Sequence, residues 1–227
     1  MKKIILICGW LLAAVAVRAQ TDHSGAYGYS FKPVGEPPET EKNNGPAGNL
    51  VLLKMEGNTY RFWLDITLGW PNYHVGETDG TITFMNDTAS FNNSYEDAEH
   101  PCILKFKISG TTIYIDSRST SFNCGFGNGV NADGEYARLK TQPVFNNDWL
   151  RKEYRQSPIA MITAARADIF KDEKCLHPYV PKKYFIKNDR VPSIAETDKS
   201  IYTEYIAADG KFIYGWVKRS ALEIVKE

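Results

Sequence analysis

The sequence predicts an all-β protein in which a small antiparallel β-barrel is followed by a second β domain. Segments in which β-branched or aromatic residues alternate with polar residues recur along the chain, and this period of two is typical of half-buried strands. Turn signals rich in Gly, Asn and Asp separate these segments. No amphipathic helix of about 10–15 residues lies between them, which argues against an α/β fold.

Several segments in the first half have the strand pattern. They are residues 49–55, 59–68, 80–85, 88–91, 103–108, 112–116 and 135–139. Thr78-Asp79-Gly80 and Ala132-Asp133-Gly134 are predicted turns, and the Pro-, Glu-, Asn- and Gly-rich segment 31–46 is predicted to be an exposed loop. Short strands at this spacing favour an antiparallel barrel or sandwich.

The β pattern breaks at Gln142-Pro143. Residues 145–155 mix aromatic and charged side chains and are predicted to form a short helix, and a second β pattern begins at Ile159. The predicted division is a barrel domain over 20–141, a linker over 142–158 and a second β domain over 159–227.

The N-terminus has the pattern of a secretory signal peptide. Met1-Lys2-Lys3 is basic, an apolar run extends over 4–17, and small residues precede a predicted cleavage site after Ala19. About 14 apolar residues are too few to span a hydrocarbon core of ~30 Å. The sequence therefore predicts an exported protein, periplasmic or extracellular, with no membrane insertion after removal of residues 1–19.

The charge balance gives no reason to expect a nucleic acid as partner. The full chain has 27 basic and 27 acidic residues. Removal of residues 1–19 takes away Lys2, Lys3 and Arg18 but no acidic residue, so acidic residues slightly outnumber basic ones in the remaining chain. Binding to phosphate backbones or anionic membranes depends on a basic surface. The predicted partner is therefore a protein or a cell-wall peptide.

Three cysteines follow the predicted signal peptide, and export would bring them into an oxidising compartment. Cys102 and Cys124 lie at the start of one predicted strand and at the end of the next hairpin. Such a placement allows the ~4.4–6.8 Å between Cα atoms that a disulfide needs, so we predict that they are paired. A metal site that uses His100 is the alternative. Cys175 is predicted to be a free thiol in a surface loop.

The first half resembles a family of small secreted bacterial proteins with a compact, lipocalin-like barrel. The residues that carry the resemblance are Gly25-Ala26-Tyr27, Cys102-Ile103-Leu104-Lys105-Phe106, Cys124-Gly125-Phe126-Gly127 and Ala132-Asp133-Gly134-Glu135-Tyr136. Some exported lysozyme inhibitors of bacteria have comparable disulfide-linked barrels. The resemblance covers about residues 24–139.

The second half resembles bacterial SH3-like (SH3b) domains. Gly215-Trp216-Val217 and Ser220-Ala221-Leu222 match the closing strands of that fold, residues 165–170 its first strand and residues 186–191 one of its turns. A loop over 172–183 replaces the usual turn. The resemblance implies an SH3-like β-barrel of a kind that commonly binds cell-wall peptides or other proteins.

These observations predict a non-enzymatic exported binding protein, whose partner is a cell-wall component or a protein such as a lytic enzyme. Trp70 and Tyr73 lie in a loop between two strands, where aromatic residues often anchor a partner. The alternative role for Trp70 is to cap the end of the barrel. Tyr205 and Trp216 are the candidate contacts of the second domain. No catalytic residue, cofactor or metal is predicted.

Two other functions fit parts of the sequence. A hydrolase would use acidic pairs drawn from Asp65, Glu77, Asp79 and Asp133, although acids in Asp-Gly turns have a structural explanation. Cys175 with His177 is the only plausible reactive thiol pair.

A carrier of a small hydrophobic ligand would need a barrel interior that bulky residues leave open.

Overall fold

The structure is a computed structural model that describes residues 21–94, 97–117 and 120–225. Within these ranges the chain is all-β apart from one short α-helix and three 3-10 turns, as predicted. The predicted signal peptide, residues 1–19, lies outside the described residues, and export therefore stays a prediction.

Eight antiparallel strands form a nearly closed barrel, which confirms the predicted first part of the fold. The strands are β1 (Gly25–Ser30), β2 (Ala47–Lys54), β3 (Thr59–Thr67), β4 (Val75–Thr83), β5 (Thr88–Asn92), β6 (Ile103–Ser109), β7 (Thr112–Asp116) and β8 (Gly134–Arg138). Their order is β4-β3-β2-β1-β8-β7-β6-β5. β4 and β5 stand at the two ends of this order and are not paired with each other, and a bridge between Met85 and Thr88 closes the turn that connects them.

The predicted turn at Thr78-Asp79-Gly80 is wrong, because all three residues lie in the middle of β4. The turn that follows β4 is Asn86-Asp87, where both residues have positive φ, as a tight hairpin requires. A Cβ atom on Gly80 would lie 2.4 Å from a ring carbon of Phe91. Gly80 therefore serves close packing of an aromatic ring against the strand, a role that sequence alone does not distinguish from a turn.

The interior of the barrel is filled by bulky side chains. The buried residues of this core include Tyr27, Leu50, Leu52, Tyr60, Phe62, Leu64, Ile66, Ile82, Leu104, Phe106, Ile113 and Tyr136. Phe62 lies 5.2 Å from Phe91 and 5.3 Å from Phe106 between ring centroids. Such edge-to-face contacts add to the free energy gained by burying the rings.

Four long loops leave the barrel at the same end, which we call the rim. They are residues 31–46, 68–74, 93–102 and 117–133. The disulfide between Cys102 and Cys124 joins the last two loops, with a Cα–Cα distance of 4.6 Å. The predicted pairing is confirmed. Cys175 is free, as predicted, but it is buried and not on the surface.

The C-terminal part contains eight further strands in two sheets. They are β9 (Ile159–Ile162), β10 (Arg166–Phe170), β11 (Tyr184–Ile186), β12 (Arg190–Pro192), β13 (Ala195–Glu196), β14 (Ser200–Ile206), β15 (Phe212–Lys218) and β16 (Leu222–Val225). The sheet orders are β11-β10-β15-β14-β13 and β12-β9-β16. Whether this part is an SH3-like domain stays a prediction that rests on the resemblance.

A short helix, α1 (Asn147–Glu153), lies in the segment predicted to be the linker. Seven residues are too few for a helix that is stable alone, and α1 is held by the packing of its apolar side. An interface cluster joins the barrel, α1 and the C-terminal strands. Its buried members are Leu53, Trp63, Leu150, Tyr154, Ile206 and Phe212.

Candidate functional site

Two rim loops, 31–46 and 68–74, are joined by one backbone hydrogen bond and one side-chain hydrogen bond. The N–H of Trp70 donates to the carbonyl of Asn44 at 2.7 Å, and Phe31 donates to Pro46 at 2.8 Å across the base of its loop. The Tyr73 hydroxyl hydrogen bonds to Glu41, which raises the pKa of the phenol. The rim therefore presents a defined surface.

The two aromatic residues predicted in this loop have different surroundings. Trp70 is half-buried, and its ring lies 3.7 Å from the position that a Cβ atom on Gly35 would occupy. Tyr73 has a positive φ of 54° and is 47% exposed. Trp70 packs against the neighbouring loop, and Tyr73 is the residue of the pair that is open to a partner.

Three further exposed apolar side chains lie on a rim loop or at the start of β4, and they were not predicted from the sequence. Phe31 is 63% exposed and Val34 80%, both in the 31–46 loop, and Val75 is 55% exposed where β4 begins. Apolar residues within an otherwise polar, Pro- and Gly-rich loop were the signal that could have identified Phe31 and Val34. Clustered exposed apolar groups with a polar surround often mark interaction sites.

A cleft of about 640 Å³ begins beside Val75 and follows the outside of the barrel. We call it the outer-wall cleft. Its floor is formed by outward-facing residues of β2, β3 and β4, and its other wall by residues 152–157. Charged residues that line it are Asp65, Glu77, Asp79, Lys152, Glu153 and Arg155.

The outer-wall cleft brings together three of the four acids proposed for a hydrolase. Asp65 and Glu77 are direct partners across β3 and β4. Burial, with the charge of Glu77 added, raises the pKa of Asp65, although Arg155 opposes the shift. Burial and Asp65 likewise raise the pKa of Glu153. Asp133 does not line the cleft and accepts a hydrogen bond from the N–H of Ser117 at 2.6 Å.

A buried ion pair lies next to the outer-wall cleft and links the barrel to the C-terminal strands. Arg61 of β3 is 2.9 Å from the carboxylate of Glu204 on β14, and it also pairs with Asp79. The hydroxyl of Tyr154 donates to Glu204. Burial raises the pKa of Glu204 against the opposing effect of Arg61. Burial lowers the pKa of Arg61, but Glu204, Tyr154 and Asp79 together outweigh burial, so the net shift is upward.

Tyr205 and Trp216 do not form one surface. Tyr205 packs into the C-terminal core, with its ring 5.6 Å from that of Phe185. Trp216 faces the other side of the sheet, opposite Tyr202, with 5.6 Å between their rings. Both are half-buried, and the structure does not bring either of them together with the rim.

Cys175 and His177, the predicted reactive pair, have different surroundings: Cys175 is buried and His177 is exposed to solvent. Cys175 is buried, and burial raises the pKa of its thiol. The imidazole of His177 is exposed and hydrogen bonds through Nδ1 to Asp172 at 3.0 Å. A protonated, buried thiol is a poor nucleophile, because the thiolate is the reactive form.

Neither a metal-binding cluster nor a membrane-spanning helix is present in the part of the chain that the structure describes. No group of three or more His, Cys, Asp or Glu side chains there has an arrangement that would hold a metal ion. No helix in those ranges combines the length and the apolar character needed to cross a bilayer.

Comparison of the chain with protein-family models, curated proteins and solved structures found no match. The lipocalin-like and SH3b resemblances therefore stay predictions, and the function must be argued from the geometry of the rim and the outer-wall cleft.

Proposed function

We propose that the protein is a non-enzymatic exported binding protein and that the rim of the barrel is its recognition surface. The observation that carries this proposal is the set of exposed apolar side chains on loops fastened to each other. Phe31, Val34, Tyr73 and Val75 offer apolar contact area on a backbone that is already ordered. Such preorganisation lowers the entropy cost of binding.

The partner that this surface fits best is a protein such as a lytic enzyme, with a cell-wall component as the alternative. The rim adjoins the outer-wall cleft through Val75, and the cleft carries four acidic and two basic residues. A partner with a basic surface would complement this charge, which favours fast and specific association.

The carrier alternative receives less support. The inward-facing side chains of the barrel are large and buried, and they pack against one another. A hydrophobic ligand would have to displace them, which costs packing free energy.

The test is a pull-down with protein that begins at Gln20, using immobilised lysozyme and, separately, insoluble peptidoglycan. We expect capture by one of the two. The double variant Val34→Ser/Tyr73→Ala should weaken capture about tenfold or more, because rim anchors dominate the affinity. Val144→Ser is the matched control, since Val144 is 77% exposed but lies outside the rim loops. Equal capture of all variants would contradict the proposal.

A cell-wall hydrolase is the second candidate, and one observation favours it. Asp65 and Glu77 are paired across two strands in a cleft, and Asp65 has a raised pKa, a feature that clusters at catalytic sites. Peptidoglycan turnover that is lost in Asp65→Asn and retained in Val34→Ser/Tyr73→Ala would favour this candidate over the binding protein.

A further inference from the structure

The barrel has an open seam between β4 and β5. Met85, which follows β4, and Thr88, the first residue of β5, exchange two backbone hydrogen bonds at 2.8 and 3.1 Å. β4 and β5 themselves are not paired among the described residues. β4 is therefore an edge strand. An edge strand carries backbone groups that can pair with another extended chain.

The seam-facing backbone groups of β4 can be assigned from the hydrogen-bond pattern. Phe84 donates to Asn58 on the β3 side, and Met85 donates to Thr88 on the β5 side. Since successive residues of a strand point their N–H groups to opposite sides, Glu77, Asp79 and Thr81 direct theirs into the seam.

The core beneath the seam is sealed by aromatic rings. Cβ atoms on Gly76 and Gly80 would lie 2.7 Å from Phe126 and 2.4 Å from Phe91. These rings therefore lie directly against the inner side of β4. They shield the barrel core from solvent at the seam, although β4 and β5 are not paired there. A chain bound at the seam would meet a dry floor and would not have to open the core.

The seam opens into a cavity of about 690 Å³ whose charge selects the occupant. Glu77 and Asp79 project outward from β4 and line this cavity with Ser90 of β5. Arg61 pairs with Asp79, but Glu204 shares the same guanidinium, so the surroundings keep an excess of negative charge. A second copy of this chain would bring its own acids against these, whereas a basic strand would complement them.

We propose that the open edge of β4 binds an extended, basic peptide segment of a protein partner as an added strand. Backbone hydrogen bonds to Glu77, Asp79 and Thr81 supply affinity, and the two carboxylates select Lys or Arg at alternate positions. The inference goes beyond the proposed function, because the seam and the rim are different surfaces with separate variants.

The test uses a fluorescent peptide as long as β4, nine residues, in which Lys alternates with Thr, and measures its binding by anisotropy. We expect saturable binding, and about tenfold or greater weakening when Glu replaces Lys or when alternate peptide nitrogens are methylated. Thr81→Pro should weaken binding similarly, since its N–H faces the seam, where no strand is paired with β4. Thr81→Val keeps the N–H and is the matched control.

Unweakened binding of the methylated peptide or by Thr81→Pro would overturn the inference, as would self-association of the protein that Thr81→Pro abolishes. The methylated peptide leaves the protein unaltered, so this arm does not depend on the folding of a variant. Capture by lysozyme or peptidoglycan that needs Val34 and Tyr73, without peptide binding, would overturn the seam inference alone. Peptide binding without such capture would overturn the proposed function alone.

Discussion

Individual side chains in this protein differ most in how their charges are compensated. Arg61 and Glu204 are removed from water and satisfy each other, with help from Tyr154 and Asp79. Asp65 and Glu77 instead lie side by side in a cleft with only partial compensation. The first arrangement fixes the position of the C-terminal strands on the barrel, and the second lets the cleft attract a positive group.

The ion pair gives a first prediction, for Glu204→Ala. Without its carboxylate, Arg61 is left buried with only Asp79 as a charged partner, and such a loss costs about 3–5 kcal/mol. Urea unfolding followed by tryptophan fluorescence measures the change. The double variant Arg61→Met/Glu204→Met should cost clearly less, because neither charge is then stranded; an equal or greater loss in the double variant would show that the charges are compensated elsewhere.

The crowded acids give a second prediction, for Asp65→Asn. A carboxyl whose pKa is raised by folding binds its proton more tightly in the folded state, so stability falls as pH rises above the ordinary carboxyl pKa near 4. The amide removes this penalty. We expect a small gain in Tm at pH 7, on the order of 1 °C because Asp65 is partly exposed and screened, and no gain at pH 3.

Melting curves of Asp65→Asn beside wild type across this pH range provide the measurement. Glu135→Gln, at an exposed acid of β8, controls for the change in net charge. A Tm for Asp65→Asn that drops at pH 7 relative to wild type would contradict the assigned repulsion.

At the scale of elements, the strands were largely predictable because alternation of apolar and polar residues reports directly on burial of one sheet face. β7 was predicted at its observed bounds, and β3 to within one residue. β4 was shifted because Gly80 resembles a turn residue, while its role depends on Phe91, a partner distant in sequence. A pattern local to one strand carries no information about such a contact.

The candidate site was less predictable than the strands. Tyr73 of the 68–74 loop is exposed, and its role as a partner contact stays a prediction; the exposed residues Phe31 and Val34 come from another loop. The outer-wall cleft exists only because α1 and the residues after it cover the outside of β3. Trp63, which points outward from the barrel, is buried for this reason, and no periodicity in β3 alone could show it.

The disulfide gives a third prediction, at the scale of the loops that it joins. Replacing Cys102 and Cys124 by Ala should lower the free energy of unfolding by about 3 kcal/mol, because the loop closed by the bridge gains freedom in the unfolded chain. Denaturant unfolding checks the magnitude.

In the wild-type protein, a thiol reagent should label Cys175 only after unfolding, since its side chain is buried. Rapid labelling of one thiol in the native protein would contradict that placement.

The whole molecule combines a filled barrel with a C-terminal β part that packs on its outer wall through the interface cluster. This arrangement leaves the rim loops exposed and leaves a cavity between the β4 edge and Ile194 and Ala195 of the C-terminal part, and both surfaces offer contacts for a partner. Packed side chains fill the barrel core and the interface cluster. The division of the chain at 142–158 stays a prediction, although α1 within that segment contributes Leu150 to the shared cluster.

The proposal that this protein binds and does not catalyse can be tested by measuring binding and turnover of peptidoglycan in the same samples. Protein that begins at Gln20 is incubated with purified peptidoglycan, and soluble fragments are quantified by chromatography while bound protein is measured in the same samples, with and without lysozyme. We expect partner binding that depends on Val34 and Tyr73, with no fragments above the buffer control when lysozyme is absent. Fragment release that disappears in Cys175→Ser/His177→Ala or in Asp65→Asn/Glu77→Gln would contradict it.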